Sequence, residues 1–265
     1  MDLLELIDDA ISSFPKKNFC EIDNNLITIL GDTHADYTAL EKILKESKGK
    51  IVFLGDYADR GDEPVKVYEK ILQLYLEEKA ILLRGNHETT NVYPHELPHM
   101  LKKIFGSDEV YKKLQEFWEK LPVFAIANDI FLVHGGVPTK GCRIDDEGIK
   151  FSELRRLDKE MMLEMMWNDP WERDRCGENY NRGVFFFFGK KATRIFLDEV
   201  SCRVIVRSHE PYKVLKVEQD GMVVTVGSCA RPYKLQEFAA LIVDFNEPYR
   251  DGYEFVEKFG KKFKL

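Results

Sequence analysis

Several short apolar segments of this chain end in a polar cluster, and this repeated arrangement constrains the fold more than any other feature. The segments are rich in β-branched and aliphatic residues and are bounded by turn residues, as expected of buried strands. Three of the clusters lie in the first third of the chain and two lie later: Gly31 to His34, Gly55 to Gly61, Gly85 to Glu88, His134 to Gly136, and Arg207 to Glu210.

These clusters are expected to meet. In a layered α/β fold, the carboxyl ends of adjacent strands face one crevice, which would bring their Asp, Asn and His side chains together. A single Gly-Asp cluster is explained by a turn with a helix N-cap, and a single strand-end histidine by packing. Five clusters that use four of the six histidines are not explained in this way. Carboxylate, amide and imidazole groups are the ligands of a two-metal site.

The remaining pattern predicts an α/β architecture. Residues 64–79 repeat apolar side chains at three- and four-residue spacing, which indicates a helix that begins at Pro64. Strand, loop and helix alternate in the first third, and the later part is richer in strands, which predicts a second sheet. No repeat or Pro/Gly/Ser-rich linker divides the sequence, so we expect one domain over residues 1–265. The predicted strands are 26–30, 51–54, 80–83, 130–133, 204–206, 223–226 and 239–243.

The composition argues against nucleic-acid and membrane binding. Of 265 residues, 44% are hydrophobic and 32% are charged, and 39 basic against 46 acidic residues give a net charge of −7. This charge provides no attraction to nucleic acid or to an acidic membrane, so an anionic substrate needs a local positive site. Five cysteines form no Cys-x-x-Cys pair, and no basic leader or apolar run of about 18 residues is present. We therefore expect a cytoplasmic protein.

The five clusters also match, in order, the motifs of one enzyme family. They resemble those of the PPP family of metal-dependent protein serine/threonine phosphatases. The resemblance runs from about Leu26 to Glu210 and implies a layered α/β/β/α metallophosphoesterase sandwich with a dinuclear metal site at the carboxyl ends of the strands. Further matches are Leu121-Pro122, Trp167-Asn168-Asp169-Pro170, Asn181-Arg182-Gly183-Val184 and Gly189.

The resemblance implies a specific set of metal ligands. Asp32 and His34 would bind a first divalent ion, Asp56 would bridge both ions, and the second ion would be held by Asn86, His134 and His209. Oxygen and imidazole ligands suit manganese, with iron or zinc as alternatives. A hydroxide that bridges two such ions would attack phosphorus without a protein nucleophile.

The resemblance also implies catalytic residues around the metals. Arg60 and Arg182 occupy the positions that clamp the phosphate, where their guanidinium groups would supply the local positive site. His87 occupies the position of the general acid that protonates the leaving alkoxide, and Asp59 that of the partner that holds its imidazole.

Some residues depart from the family pattern or suggest other interpretations. Ala35 replaces the usual glycine of the first motif, which affects the expected geometry of the first metal, and residues 227–233 differ from the family's sequence, so its active-site tyrosine is not assigned. Cys176 and Arg182 have the Cys-x5-Arg spacing of cysteine-dependent phosphatases, but the charged residues before Cys176 are not strand-like. We interpret His95 and His99 as surface residues, residues 258–264 as a solvated tail and residues 185–188 as a core strand.

The expected function is hydrolysis of phosphoserine and phosphothreonine in phosphoprotein substrates, with regulatory subunits as possible partners. The alternative is an enzyme that hydrolyses a small phosphate compound such as a dinucleoside polyphosphate, since related enzymes use the same metal motifs. A third hypothesis is a catalytically dead phosphoprotein-binding module. That hypothesis requires lost ligands, and all six ligand positions hold residues that can bind a metal.

Overall fold

Two β-sheets carry the strand ends at which the polar clusters lie. The computed structural model describes residues 2–15, 17–183 and 185–265, so Val184 of the Asn181–Val184 motif lies outside the described residues. In the first sheet, β2, β3 and β4 are parallel, β13 runs antiparallel to β2, and β14 runs antiparallel to β13. These strands are β2 (Leu26–Leu30), β3 (Lys50–Phe53), β4 (Ala80–Leu82), β13 (Glu237–Asp244) and β14 (Gly260–Lys264), in the order β14-β13-β2-β3-β4.

The second sheet has six strands in mixed orientation. Its centre is the parallel set β6, β10 and β12, and antiparallel pairing adds β5 next to β6 and β11 next to β12. These strands are β1 (Phe19–Ile22), β5 (Phe124–Ala127), β6 (Ile130–Val133), β10 (Val204–Arg207), β11 (Leu215–Glu218) and β12 (Val223–Val226), in the order β1-β5-β6-β10-β12-β11.

The alternation of side chains along the strands produces three apolar layers. In β3, Ile51 and Phe53 pack toward the helices, whereas Val52 enters the core between the two sheets. In β6, Leu132 enters the same central core, and Phe131 packs against helices on the far side. Because successive strand residues point to opposite faces, a strand that is buried on both faces reads as one continuous apolar run.

Helices cover the outer faces of both sheets, which gives the predicted α/β/β/α order. The first five helices contribute to the core on the first sheet, and the next four pack on the second sheet. The tenth helix contributes Phe255 and Phe259 to the core between the sheets. The helices are α1 (Leu3–Ser13), α2 (Tyr37–Glu46), α3 (Pro64–Leu76), α4 (Leu97–Phe105), α5 (Glu109–Trp118), α6 (Ile144–Glu147), α7 (Phe151–Arg156), α8 (Lys159–Trp167), α9 (Lys190–Val200) and α10 (Gly252–Phe259).

A small third sheet lies after α8. It consists of β7 (Asp169–Pro170), β8 (Gly177–Asn179) and β9 (Phe185–Phe188), in the order β7-β9-β8. Phe188 is fully buried, but Phe185 and Phe187 are only partly buried and stack on Trp167 and Trp171. The prediction of a strand over 185–188 is therefore confirmed, although only part of it belongs to the core.

The C-terminal region differs from its prediction. Residues 258–264 form the end of α10 and strand β14, which pairs with β13, instead of a solvated tail. Phe263 of β14 lies opposite Phe238 of β13, and the two rings stack with their centroids 5.4 Å apart. This cross-strand aromatic pair stabilises the strand, although the residues around Phe263 are lysines. Within the described ranges, no helix has both the length and the apolar character that a membrane span requires.

Candidate active site

The polar clusters meet in one cavity at the carboxyl ends of the strands. Its volume is about 280 Å³. The loops after β2, β3, β4 and β10 all reach it, and His134, which follows β6, lies directly beneath. The lining residues are His34, Asp56, Arg60, Asn86, His87, Val92, Tyr93, Trp167, Asn181, Arg182, His209 and Tyr233.

One group of potential metal donors surrounds His34. The Nδ1 atom of His34 lies 3.1 Å from the carbonyl oxygen of Asp59, so this nitrogen donates and the lone pair of Nε2 is directed toward the cavity, where it could bind a cation. That Nε2 lies 3.7 Å from Oδ2 of Asp32 and 3.5 Å from Oδ2 of Asp56. Buried carboxylate oxygens from the loops after β2 and β3 therefore lie on either side of Nε2 of His34.

A second group surrounds His134. Its Nδ1 lies 3.1 Å from the carbonyl oxygen of Leu54, which again leaves Nε2 free. The Nε2 atom lies 2.8 Å from Oδ1 of Asn86, 3.1 Å from Nδ1 of His209 and 3.4 Å from Oδ1 of Asp56. Asp56 thus directs one carboxylate oxygen to each group, as a bridging ligand would.

The donor set fits two divalent cations. Oδ2 of Asp32 is buried and has no hydrogen-bond partner among the described residues, although a buried carboxylate oxygen is normally satisfied. Burial opposes ionisation of Asp56, but the attraction of His134 and His87 lowers the pKa of its carboxyl well below the ordinary value. A buried carboxylate beside imidazole nitrogens and an amide oxygen is the environment of Mn, Fe or Zn. The groups whose donor atoms all lie within 4.8 Å of one another are His34-Asp56-His87 and Asp56-His134-His209. The predicted ligand Asp32 is therefore next to the first group, at 3.7 Å from Nε2 of His34, and His87 is inside it.

The loops that carry these donors adopt unusual backbone conformations. His34, Ala35, Asp56, Arg60 and His209 all have φ values between 41° and 74°, in the left-handed region. Each such non-glycine residue costs about 1–2 kcal/mol, so the surrounding hydrogen bonds must hold it in place. The amide of His34 donates to the carbonyl of Asp56 at 2.9 Å, for example. Ala35 takes the conformation that a glycine would adopt, and its methyl group is buried without separating His34 from Asp56.

Gly85 is required by a close approach to the bridging carboxylate. A Cβ atom at this position would lie 2.3 Å from Oδ1 of Asp56, which is a severe overlap. Glu88, three residues later, is fully buried and accepts hydrogen bonds from the amides of Asp56 and Tyr57. The loop after β4 therefore supports the loop after β3 in addition to supplying Asn86.

His87 and Asp59 form a buried pair beside the first donor group. Nδ1 of His87 lies 2.6 Å from Oδ2 of Asp59, and Nε2 faces the cavity at 3.9 Å from Oδ2 of Asp56. Burial raises the pKa of Asp59, but the hydrogen bond and charge of His87 and the hydrogen bond from the Leu97 amide together outweigh this effect, and the pKa falls to about 2. Burial lowers the pKa of His87, against the opposing attraction of Asp56.

Two arginines complete the wall of the cavity. Nε of Arg182 donates to Oδ2 of Asp169 at 2.8 Å, which leaves its terminal nitrogens available. Nη1 of Arg60 donates to the hydroxyl of Tyr233 at 2.7 Å. That hydroxyl also lies 3.0 Å from Nε2 of His34, so Tyr233 contacts both a predicted clamp residue and a predicted ligand.

The structure brings together all ten residues that the sequence analysis placed in the site: Asp32, His34, Asp56, Asp59, Arg60, Asn86, His87, His134, Arg182 and His209. It adds Tyr233, which was not assigned because residues 227–233 depart from the family pattern. It also adds Val92, Tyr93, Trp167 and Asn181 as lining residues. The only sequence signal for Tyr233 was a tyrosine close after the β12 strand end.

The structure also bears on two further interpretations, the surface assignment of His95 and His99 and the Cys-x5-Arg spacing of Cys176. His95 is half-buried against Tyr111 and Trp118, with ring centroids 5.8 and 6.3 Å away, so its assignment to the surface was wrong, whereas His99 is exposed. Cys176 does not line the cavity, and its Sγ donates to Oδ1 of Asp145 at 3.6 Å. Burial raises the pKa of the Cys176 thiol, which disfavours the nucleophilic thiolate. In addition, strand β8 begins after Cys176, whereas a phosphocysteine loop needs a strand before the cysteine.

Comparisons with known proteins agree with this geometry. A family model described as calcineurin-like phosphoesterase matches residues 26–213. The chain is 30% identical over 257 residues to the serine/threonine-protein phosphatase 4 catalytic subunit of Saccharomyces cerevisiae, which covers 88% of this chain and 79% of that protein. It is 32% identical over 216 residues to a protein of Encephalitozoon cuniculi named probable serine/threonine-protein phosphatase, which covers 76% of this chain but only 46% of the relative.

A solved structure has the same fold. The protein serine/threonine phosphatase from Saccharomyces cerevisiae described as similar to human phosphatase PP5 superposes with a TM-score of 0.83 at 22% identity, over 99% of this chain and 89% of that one. Two layered sheets, with two groups of side chains at the strand ends that could each bind a metal ion, are the arrangement of a metallophosphoesterase. The chain belongs to the calcineurin-like phosphoesterase family and, within it, to the serine/threonine-protein phosphatases.

Proposed function

We propose that this protein removes phosphate from phosphoserine and phosphothreonine in proteins, with two divalent cations as cofactors. The observation that carries the proposal is the division of Asp56 between two donor groups in a cavity that two arginines also line. Phosphoryl transfer needs charge neutralisation and positioning more than covalent chemistry, and this arrangement offers both.

The residues that would hold the first cation are Asp32, His34 and Asp56. Asp56 would also contact the second cation, together with Asn86, His134 and His209. When bound, the cations supply positive charge for the phosphoryl oxygens and activate a water molecule as the nucleophile. We propose manganese, with iron or zinc as alternatives that the same ligands accept.

The arginines bind and orient the phosphate. The guanidinium of Arg182 is held by Asp169 through Nε, so its planar edge keeps two further nitrogens for phosphoryl oxygens. Arg60 is held at Nη1 by Tyr233 and reaches the cavity from another loop. Together they provide the local positive site that a chain of net charge −7 needs for an anionic substrate.

His87 moves a proton at Nε2. Because Nδ1 is engaged by Asp59, the imidazole presents Nε2 to the cavity, where the serine or threonine oxygen leaves. An alkoxide is a poor leaving group, so a proton delivered to it as the P–O bond breaks lowers the barrier. Asp59 holds the imidazole in this orientation.

The deciding experiment compares two substrate classes. Metal-free protein is reconstituted with Mn²⁺ and incubated with a phosphothreonine peptide and, separately, with a dinucleoside tetraphosphate. We expect turnover of the peptide by wild type and none by Asp56→Asn, because that substitution weakens both cation sites. Turnover confined to the tetraphosphate would replace this proposal with the small-phosphate alternative. Tight binding of phosphopeptide without turnover, at full metal occupancy, would indicate a binding module.

The wider context of the activity is also a proposal. One relative is named a catalytic subunit, so we propose that regulatory subunits associate with this chain as well. Five free cysteines fit a reducing compartment, and we propose a cytoplasmic location and a single domain for residues 1–265.

A further inference from the structure

Ser208 makes an unusual double contact with one of the residues of the first donor group. Its hydroxyl accepts a hydrogen bond from the amide of Asp32 at 2.8 Å and donates to Oδ1 of the same aspartate. Both side chains are fully buried. A buried hydroxyl that is satisfied twice by one residue fixes the backbone and the carboxylate of that residue relative to each other.

The two carboxylate oxygens of Asp32 consequently differ. Oδ1 accepts from the Ser208 hydroxyl and also from the amide of His209, at 2.9 Å. Oδ2 has no hydrogen-bond partner among the residues that the structure describes, and it points toward Nε2 of His34 at 3.7 Å. One oxygen is occupied by the protein, and the other is left for a cation.

We propose that Ser208 is a positioning residue that reserves Oδ2 of Asp32 for the first cation. This inference rests on the two-cation site of the proposed function. Ser208 lies at the end of β10 in the second sheet, and Asp32 at the end of β2 in the first, so the contact also joins the two sheets. Because the next residue, His209, belongs to the second donor group, Ser208 and its neighbour hold the two cation sites in a fixed relation.

The chain provides a matched control in Ser228. This serine is equally buried, and its hydroxyl accepts from the amide of Gly31 at 2.9 Å and donates to the carbonyl of Ala239 at 2.7 Å. It therefore stabilises the loop next to Asp32 with two backbone hydrogen bonds, neither of which involves a predicted ligand side chain. Ser228→Ala removes the same kind of buried contact as Ser208→Ala without changing the hydrogen bonds of the Asp32 carboxylate.

The test measures metal binding directly. Metal-stripped wild type, Ser208→Ala and Ser228→Ala are titrated with Mn²⁺ by calorimetry, and the melting temperature of each metal-free protein is recorded. We expect Ser208→Ala to weaken one of two Mn²⁺ sites by about 10- to 100-fold, as found for residues that orient metal ligands. Ser228→Ala should lower the melting temperature to a similar extent and keep wild-type Mn²⁺ affinity.

A double-mutant cycle shows whether Ser208 acts through Asp32. In an Asp32→Asn background the carboxylate is gone, so adding Ser208→Ala should weaken Mn²⁺ binding much less than it does in wild type. Equal losses in the two backgrounds would overturn the inference. If Ser208→Ala does not fold, Ser208→Cys replaces it, since a thiol is a weaker donor, and unchanged Mn²⁺ affinity in that variant would contradict the proposal.

The remaining outcomes separate this inference from the proposed function. Parallel losses of Mn²⁺ affinity in the Ser208 and Ser228 variants would make Ser208 a structural residue only. A wild-type protein that binds no Mn²⁺, Fe²⁺ or Zn²⁺ would overturn both proposals. Two Mn²⁺ ions in wild type and one in Ser208→Ala, without any phosphatase activity, would support the role of Ser208 and refute the proposed function.

Discussion

At the scale of single residues, the two arginines that line the cavity are held by different kinds of partner. Arg182 is anchored to a carboxylate on β7, whereas Arg60 is anchored to a phenol and has a left-handed backbone. Arg182→Ala and Arg60→Ala should each lower kcat/KM by about 10²- to 10³-fold, because each removes a charged donor to the transferring phosphoryl group. Steady-state kinetics on a phosphothreonine peptide should show a higher KM and a lower kcat.

Arg175→Ala is the matched control for this prediction. Arg175 lies in the same segment as Arg182, but it is exposed and pairs with Asp146 on the surface. Its substitution should leave both kinetic constants unchanged. If the Arg60 and Arg182 variants behave like this control, the two arginines are structural.

His87 is distinguished from a metal ligand by its dependence on the leaving group. A general acid matters for a basic leaving group such as the serine alkoxide and much less for p-nitrophenolate, which departs unaided. His87→Asn should lose about 10²- to 10⁴-fold on a phosphoserine peptide and clearly less on p-nitrophenyl phosphate. Metal analysis should show unchanged occupancy. Because His87 also lies within reach of the His34 and Asp56 donors, a loss of one metal ion would instead identify it as a ligand.

The sequence predicted the residues of this site better than their contacts. The predicted ligand and clamp residues lie in contiguous motifs next to strands, and strand ends converge for topological reasons alone, so their proximity follows from the pattern. Tyr233 ends a short 3-10 helix (Arg231–Tyr233), and its contact with Arg60 depends on how the segments after β2 and β12 meet, where Asp32 pairs with Gly227. The role of Ser208 depends on which oxygen of Asp32 it faces, and no spacing in the sequence determines that.

At the scale of secondary-structure elements, helix α4 supports the His87–Asp59 pair through its first turn. The amides of Glu96 and Leu97 each donate to Oδ1 of Asp59 at 2.9 Å, while Oδ2 holds His87. The N-terminus of a helix favours a negative charge, so the hydrogen bond from the Leu97 amide helps to lower the pKa of Asp59 in addition to His87. The segment that contains the misassigned His95 therefore contributes to the site from behind.

Two substitutions of Asp59 separate these functions. Asp59→Asn keeps an oxygen that can accept from the amides of α4, but it presents an NH₂ group to His87 where the carboxylate oxygen was. Asp59→Ala removes both the contact with α4 and the contact with His87. We expect both variants to lose activity on phosphoserine peptide. Asp59→Ala alone should lose the helix anchor and be less stable than Asp59→Asn by about 1–3 kcal/mol, the cost of unsatisfied buried donors. Urea unfolding at pH 7 measures this difference, and equal stabilities would contradict the role of α4.

Three of the strands that the sequence analysis did not predict are edge strands with a weak apolar signal. The central strands β2, β6 and β12 were predicted with their observed bounds, because burial on both faces gives a continuous apolar run. Edge or near-edge strands β1, β11 and β14 have partly exposed residues and alternate with charges, so their apolar signal is weak. Lysine on an exposed edge such as β14 also discourages pairing with other chains.

At the scale of the whole molecule, the proposed metal site lies where the two sheets meet, so its charges affect the stability of the fold. Asp32 and Asp56 are fully buried within one cluster, and Glu88 lies directly behind Asp56. Burial and the charge of Asp56 raise the pKa of Glu88 to about 7, which shows how strongly the cluster resists a further negative charge. Cations between these groups would relieve the repulsion in the folded state only.

Divalent metal should therefore stabilise the folded protein as well as activate it. At a free concentration of 100 times Kd, each bound cation adds about 2.7 kcal/mol, and in a chain of this size each kcal/mol raises Tm by about 2–4 °C. We expect Mn²⁺ to raise the Tm of metal-stripped wild type by about 5–10 °C per site under those conditions. Asp56→Asn, which weakens both sites, should show a much smaller rise, and its metal-free form should be less stable than metal-free wild type at pH 7, because it loses the attraction of His134 and His87 that lowers the pKa of Asp56. Differential scanning calorimetry, with metal analysis before and after stripping, measures both quantities. A Tm that does not respond to Mn²⁺ in fully stripped wild type would show that the donor groups do not bind the ion, and the cluster would then be a network of hydrogen bonds that happens to lie in a cavity.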